Sequence, residues 1–326
     1  MKTAVVIAVY NGAAYLKEQL ESIIEQSRQP DFILIRDDGS NDESAALIEQ
    51  FIQEYPETDI RLMQGENLGF RQNFRLLLES CDADWVFLSD QDDRWHPERM
   101  ERMLETIKAH PEIGLLASSF EFMNQNSQVY HVIQKNGWSN QNLIPRSIHA
   151  GSLEKISLDE LIFHNYFQGC SMAASREIIQ DYLSSDNPDL PHDWMLSLCA
   201  ARKYSLFFLN EPLFDYRIHQ DNTIGLPQGS RFTLFQRLKT INSERNRTIV
   251  LKQSKDVLNT IKNNFPESWD EEKQNLAAFA GQALDALAKK KAGAVIALMK
   301  NPDFSKFKSR AGQWMDVFYC LSRRFS

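Results

Sequence analysis

The sequence has few cysteines, no glycine-rich phosphate loop, no excess of positive charge and no long apolar run, and each absence removes a class of function. Its four cysteines, Cys81, Cys170, Cys199 and Cys320, stand far apart without a C-x-x-C spacing. That speaks against a zinc site or a disulfide framework and for the reduced thiols of a cytoplasmic protein. Every apolar stretch falls short of the ~20 residues that cross a bilayer. The opening MKTAVVIAVYNG lacks a small-residue cleavage site and meets a turn after about seven apolar residues, so it reads as a buried strand and not a leader. A net charge of −8 has the wrong sign for a nucleic-acid binder, which needs a basic face against phosphates. Where a dinucleotide or nucleoside-triphosphate loop would follow the first strand, Asn11-Gly12-Ala13-Ala14 stands instead, and the nicotinamide and ATPase readings lose their main support.

What is present is an ordinary globular composition, 43% apolar and 25% charged over 326 residues, enough for one large domain and an appendage or for two domains. Thr3–Val9 is continuously apolar, as a central strand covered on both faces must be. Strands are expected also at Phe32–Ile35, Ile60–Met63 and Trp85–Leu88, with helices at Ala14–Gln26, Glu43–Glu54 and Phe70–Glu79 between them, the alternation that builds a parallel sheet with crossover helices. Glu98–Ala109 reads as a helix and Ile113–Phe122 as a strand. The polar stretch Asn124–Gly151 reads as an irregular, acceptor-facing excursion. Helix Ser157–Phe163, strand Gly169–Ala174, helices Ser175–Leu183 and His192–Arg202, and strand Ser205–Leu209 follow. Beyond about residue 230 the segments are helical, which predicts a domain over 1–229 and a helical extension over 230–326.

In a doubly wound sheet, ligands sit beyond the carboxyl ends of the strands. Two of those ends are rich in carboxylates: Arg36-Asp37-Asp38-Gly39-Ser40 and Ser89-Asp90-Gln91-Asp92-Asp93. Three aspartates within four residues repel one another unless a hard divalent cation lies among them, although an Asp-rich turn leading to a helix cap has the same composition.

Taken together in order, Val9-Tyr10-Asn11, Arg36-Asp37-Asp38-Gly39-Ser40, Asn67-Leu68-Gly69 with Asn73, Ser89-Asp90-Gln91-Asp92-Asp93-Arg94-Trp95 and His192-Asp193-Trp194 resemble the family-2 glycosyltransferases, inverting enzymes with a GT-A fold. The Ser-Asp-Gln-Asp-Asp and Pro-His-Asp-Trp versions resemble bacterial rhamnosyltransferases of polysaccharide synthesis. The resemblance covers roughly residues 3–220. It implies a donor site at Val9, Tyr10, Asp38, Arg71, Asn73, Asp90 and Gln91, with Asp38 accepting a hydrogen bond from the nucleotide base and Tyr10 packed nearby. It implies Mn²⁺ or Mg²⁺ on Asp92, Asp90 and His219, with Asp92 the main ligand on the diphosphate. Asp193 is then the base that takes the acceptor hydroxyl's proton, and Gly169, Cys170, His192 and Trp194 shape the substrate pocket. Each has a plainer alternative: Arg71 as a solvated helix residue, Asp193 as an N-terminal helix carboxylate, and His219 as a structural, hydrogen-bonded histidine.

The implied partners are a nucleotide-sugar donor, either dTDP-rhamnose or a UDP-hexose or UDP-N-acetylhexosamine, and a glycan or lipid-linked acceptor. A nucleotide-sugar binder without catalysis is disfavoured because Asp38, Asp90, Asp92 and Asp193 are all present. A nucleotidyltransferase would need a Gly-rich basic loop after the first strand. From Ala286 onward nine lysines and arginines face two aspartates, a net of +7 that leaves −15 for the rest. There Phe304, Phe307, Trp314, Phe318, Tyr319, Leu321 and Phe325 alternate with Lys306, Lys308, Arg310, Arg323 and Arg324, a pattern for a helix on an anionic membrane surface or one packed on its own domain or a second subunit.

Overall fold

A computed structural model of the chain describes residues 1–131, 144, 146–185, 190–219 and 243–322. A first unit comprises the described residues of 1–158 and 165–228, and a second those of 159–164 and 229–326. The expected boundary between 229 and 230, most of the excursion between 132 and 145, and Arg323, Arg324 and Phe325 lie outside the described residues.

The first unit is built on one ten-stranded sheet. Strands β1 (Thr3–Val9), β2 (Phe32–Asp37), β3 (Ile60–Gln64) and β4 (Trp85–Ser89) run parallel in the spatial order β3-β2-β1-β4. Helices α1 (Leu16–Ile24), α2 (Ser44–Glu54) and α3 (Phe70–Ser80) carry the crossovers. The chain steps outward from β1 to β3 and then returns to the other side of β1 for β4. That reversal opens a crevice at the carboxyl ends of β1 and β4. The sheet continues from β4 through β9 (Met172–Ser175), antiparallel to both its neighbours, to β6 (Leu115–Asn124), then β10 (Leu206–Ile218) and β5 (Arg94–Trp95). Short strands β7 (Val129–Tyr130) and β8 (Leu153–Lys155) pair with β6 and β10, and helices α4 (Arg99–Ala109), α5 (Arg176–Ser184) and α6 (His192–Arg202) complete the unit.

The core follows from the apolar pattern. Val5, Ile7, Val9, Ile33, Ile35 and Phe87 are buried with Leu16, Leu20 and Ile23, which share one face of α1. Helix α1 starts two residues later than expected because residues 12–15 form a turn, with the Tyr15 and Leu16 N–H groups both donating to the Gly12 carbonyl at 3.0 Å. The expected helix at Ser157–Phe163 is a single 3-10 turn, Glu160–Ile162. Gly169–Ser171 is a 3-10 turn preceding the strand, not part of it. Strand β10 runs nine residues past its expected end, because register shifts on either side of Pro212 absorb that residue and let pairing with β6 resume to Ile218.

In the second unit, helices α7 (Glu244–Asn264), α8 (Glu271–Ala288), α9 (Ala292–Leu298), α10 (Phe304–Phe307) and α11 (Arg310–Leu321) pack round Phe279, which lies 5.2 Å from Phe304 and 5.4 Å from Phe307 between ring centroids. Lys308 and Asp316 form a buried pair at 2.6 Å, with the Arg247 guanidinium 3.6 Å from the same carboxylate. Removing one member strands the other charges out of water. Asp316→Ala is therefore expected to cost about 3–5 kcal/mol in urea unfolding of the helical unit. A loss within measurement error would show that the pair is solvated in solution.

Candidate active site

Strand β1 ends at Val9, whose side chain is fully buried, so Val9 contributes backbone to the site. The next residue, Tyr10, is 41% exposed, and Asn11 adopts φ 50°, turning the chain sharply off the sheet edge. Gln91 closes the crevice from the β4 side: its Oε1 accepts from the Tyr10 N–H at 2.7 Å and its Nε2 donates to the Tyr10 carbonyl at 3.0 Å. Gly12 makes this two-bond latch possible, since a Cβ there would lie 2.3 Å from Gln91 Oε1.

Asp38 is buried and already engaged. Arg36 donates to its Oδ1, as does the Leu68 N–H at 3.0 Å, and the Gly69 N–H donates to Oδ2 at 2.8 Å. The carboxylate thus folds the 67–69 loop against β2, with Gly69 at φ 81° where a side chain would be strained. Asn73 is likewise buried, its Nδ2 between the carbonyls of Val9 and Arg36 at 3.5 and 3.4 Å, tying the ends of β1 and β2. Arg71 is exposed, with its guanidinium 5.7 Å from the centre of the Phe70 ring.

The aspartates after β4 diverge. Asp92 Oδ2 lies 2.8 Å from His219 Nε2, and His219 packs on Tyr15 with ring centroids 4.9 Å apart. Asp90 and Asp93 converge with Cys170, ligand atoms of all three lying within 4.8 Å of one another. Burial and the Asp92 charge push Asp90 up to about 7, and the same two causes hold Asp93 well above the usual carboxylate range. Asp93 Oδ2 is buried, and the Cys170 thiol lies beside the carboxylate. Three carboxylates crowded at one strand end fit a hard divalent ion by donor chemistry. Cys170 fits less well, because burial keeps its thiol protonated.

Asp193 and His192 open helix α6. The Asp193 carboxylate accepts from the Trp194 N–H at 2.7 Å, and the Asn165 side chain and the Gly169 N–H donate to it. Burial nevertheless raises Asp193 to about 6, a value suited to a proton acceptor near neutrality. His192 stacks on Phe74 at 4.0 Å between centroids, and burial lowers it to about 3, so it is neutral. Its Nε2 closes on Gly169, where a Cβ would lie 2.5 Å away. Trp194 is buried beside it.

Two residues absent from the sequence reading help to organise this site. Asn165 holds Asp193. Arg217 is wholly buried and gathers the carboxylate loop: its Nε donates to the Asp92 carbonyl at 2.6 Å, its backbone N–H to Asp93 Oδ1 at 3.0 Å, and its Nη2 to Glu18 at 2.6 Å. Its position near the end of β10, two residues before His219, was the available signal.

A family model for glycosyl transferase family 2 matches residues 4–183, more than half of the chain. The chain belongs to this family. Among curated relatives, the dTDP-rhamnosyl transferase RfbG of Shigella flexneri is 27% identical over 232 residues, covering 67% of this chain and 73% of RfbG. An uncharacterized protein of Mycobacterium tuberculosis matches at 24%, and the chain spans 58% of its length. Among solved structures, residues 1–349 of S. aureus TarS in complex with UDP-GlcNAc superpose with a TM-score of 0.55 at 14% identity, covering 99% of this chain and 92% of that solved chain. The mannosyltransferase PcManGT from Pyrobaculum calidifontis, solved with GDP-Man and Mn²⁺, gives 0.53 at 15% identity, covering 99% and 86%. The family-2 chain therefore has the GT-A fold expected from its sequence, a mostly parallel sheet with flanking helices and a helical C-terminal region.

Proposed function

We propose that this family-2 enzyme transfers L-rhamnose from dTDP-rhamnose, with inversion, to a bacterial polysaccharide or its lipid-linked precursor, using Mn²⁺ or Mg²⁺. The observation that carries the reaction class is Asp193, a buried carboxyl raised to about 6, in the same unit as the crowded Asp90, Asp92 and Asp93. Rhamnose as the sugar is supported by the similarity to RfbG.

In this reading Tyr10 offers its exposed ring to the nucleotide base, and Asp38 acts through the 67–69 loop that it folds. Asp90 and Asp92 would hold the divalent ion, with His219 fixing Asp92, while Asp93 and Cys170 line the same pocket. The bound ion supplies charge neutralisation for the departing nucleoside diphosphate. Asp193 takes the acceptor hydroxyl's proton as its oxygen attacks the anomeric carbon from the face opposite the diphosphate. Asn165 and the Gly169 N–H hold that carboxylate in place. The turn at Gly169 and Cys170, pressed on by His192 and backed by Trp194, shapes the space for the sugars. The protein acts on the cytoplasmic side of the membrane.

Thermal-shift measurements with a panel of nucleotides and nucleotide sugars, with and without Mn²⁺, test this, because a ligand held by the native state alone raises its midpoint. A metal-dependent rise with dTDP or dTDP-rhamnose is expected. Preference for UDP compounds would reassign the donor to a UDP-hexose or UDP-N-acetylhexosamine. No rise with any nucleotide would remove the donor site and leave the reading without its basis.

A further inference from the structure

Helix α11 exposes the kind of side chain that a helix bordering water buries. Its inner side, with Gln313, Asp316, Val317, Tyr319 and Cys320, is packed in the helical unit. Outward stand Trp314, Phe318 and Leu321, which are 47%, 59% and 41% exposed. The spacing i, i+4, i+7 puts these three in one stripe along the helix. Helix α9, packed against α11, adds Ile296. Single exposed apolar residues need no explanation, but a stripe of three on one helix, with a fourth exposed on the helix packed against it, does. The expected face of aromatics and cations is thus split: Phe304, Phe307 and Tyr319 are core, Lys308 is committed to Asp316, and a narrower stripe remains outside.

The charge around the stripe says what covers it. From Ala286 onward the only acids are Asp303 and Asp316. Asp316 is buried, and Asp303 pairs with Lys306 at 3.2 Å. Lys291, Lys300 and Arg310 are exposed, and the sequence runs on past Leu321 into Arg323-Arg324. A two-fold contact between copies would bring this +7 segment against itself. An anionic bilayer answers both features: apolar side chains enter the acyl boundary, an indole suits the interface between apolar and wet, and the cations meet lipid phosphates. Among the described residues no helix is long and apolar enough to cross a membrane, so the contact is with the surface.

We propose that the outer stripe of α11, Trp314, Phe318 and Leu321 with Ile296 of α9 and the surrounding cations, docks the protein on an anionic phospholipid surface. This concerns where the enzyme works and is independent of which sugar it transfers. The test is flotation of the full chain with vesicles of phosphatidylcholine alone and of equal parts phosphatidylcholine and phosphatidylglycerol, alongside Trp314→Ser/Phe318→Ser. The wild type should float with the anionic vesicles and not the neutral ones. The double variant, with an unchanged unfolding midpoint because both positions are exposed, should bind at least about tenfold more weakly. Flotation that is absent, indifferent to lipid charge or unaltered in the variant overturns the proposal. So does a lipid-free dimer in sedimentation velocity that the double variant converts to monomer, since a second copy would then own the stripe.

Discussion

Asp193→Asn should reduce sugar transfer by about a hundred- to ten-thousand-fold, the usual contribution of a positioned general base, while leaving donor affinity close to that of the wild type. The amide keeps the shape of the carboxylate at the start of α6, but it cannot take a proton from the acceptor. The raised pKa adds a second signature. Burial holds Asp193 at about 6, so the active, ionised form is lost as pH falls through that value, and kcat/KM of the wild type should drop tenfold per unit below it. An Asn variant with near wild-type turnover would take Asp193 out of the mechanism. A pH profile flat down to pH 5 would do the same for its assignment as the titrating base.

Asp92→Ala should weaken Mn²⁺ binding in the presence of nucleotide more than about a hundredfold, read by electron paramagnetic resonance of the free ion. The substitution removes the proposed ligand and also the 2.8 Å partner of His219, so the histidine is left against Tyr15 without its carboxylate. His219→Ala, which removes only the support, should cost less, on the order of ten- to a hundredfold. If Asp92→Ala binds Mn²⁺ as the wild type does while Asp93→Ala does not, the ion belongs to the Asp90, Asp93 and Cys170 cluster, and Asp92 serves the loop alone.

Much of the fold was legible because it is written locally. The six consecutive apolar residues 4–9 of β1 and the Leu16, Leu20, Ile23 face of α1 reveal strand and helix within a short window. The carboxylates after β2 and β4 announce themselves by type and by place at a strand end. What stayed hidden depends on partners far away in sequence. Arg217 meets Glu18 across 199 residues, and Gln91 meets Tyr10 across 81; neither pairing leaves a mark in the neighbourhood of either residue. Strand β10 is expected only to Leu209, and the partner strand β6 shows how the register slips past Pro212 and pairing resumes to Ile218. Asp38 is the subtler case. Its type and position point to a ligand-facing carboxylate, and in addition Arg36 and two backbone N–H groups make it the tie that holds its own loop.

All four thiols are buried, and burial raises each above the ordinary cysteine range, Cys81 to about 11 and Cys199 to about 12. The native protein is therefore nearly inert to alkylating reagents, and a thiol reacts when its surroundings open. Cys81, Cys170 and Cys199 lie in the sheet unit and Cys320 in the helical one. The chain thus carries built-in chemical clocks for both units: peptide-resolved labelling rates time the breathing of each separately, with Cys170 timing the segment beneath the aspartates, and no probe has to be engineered in.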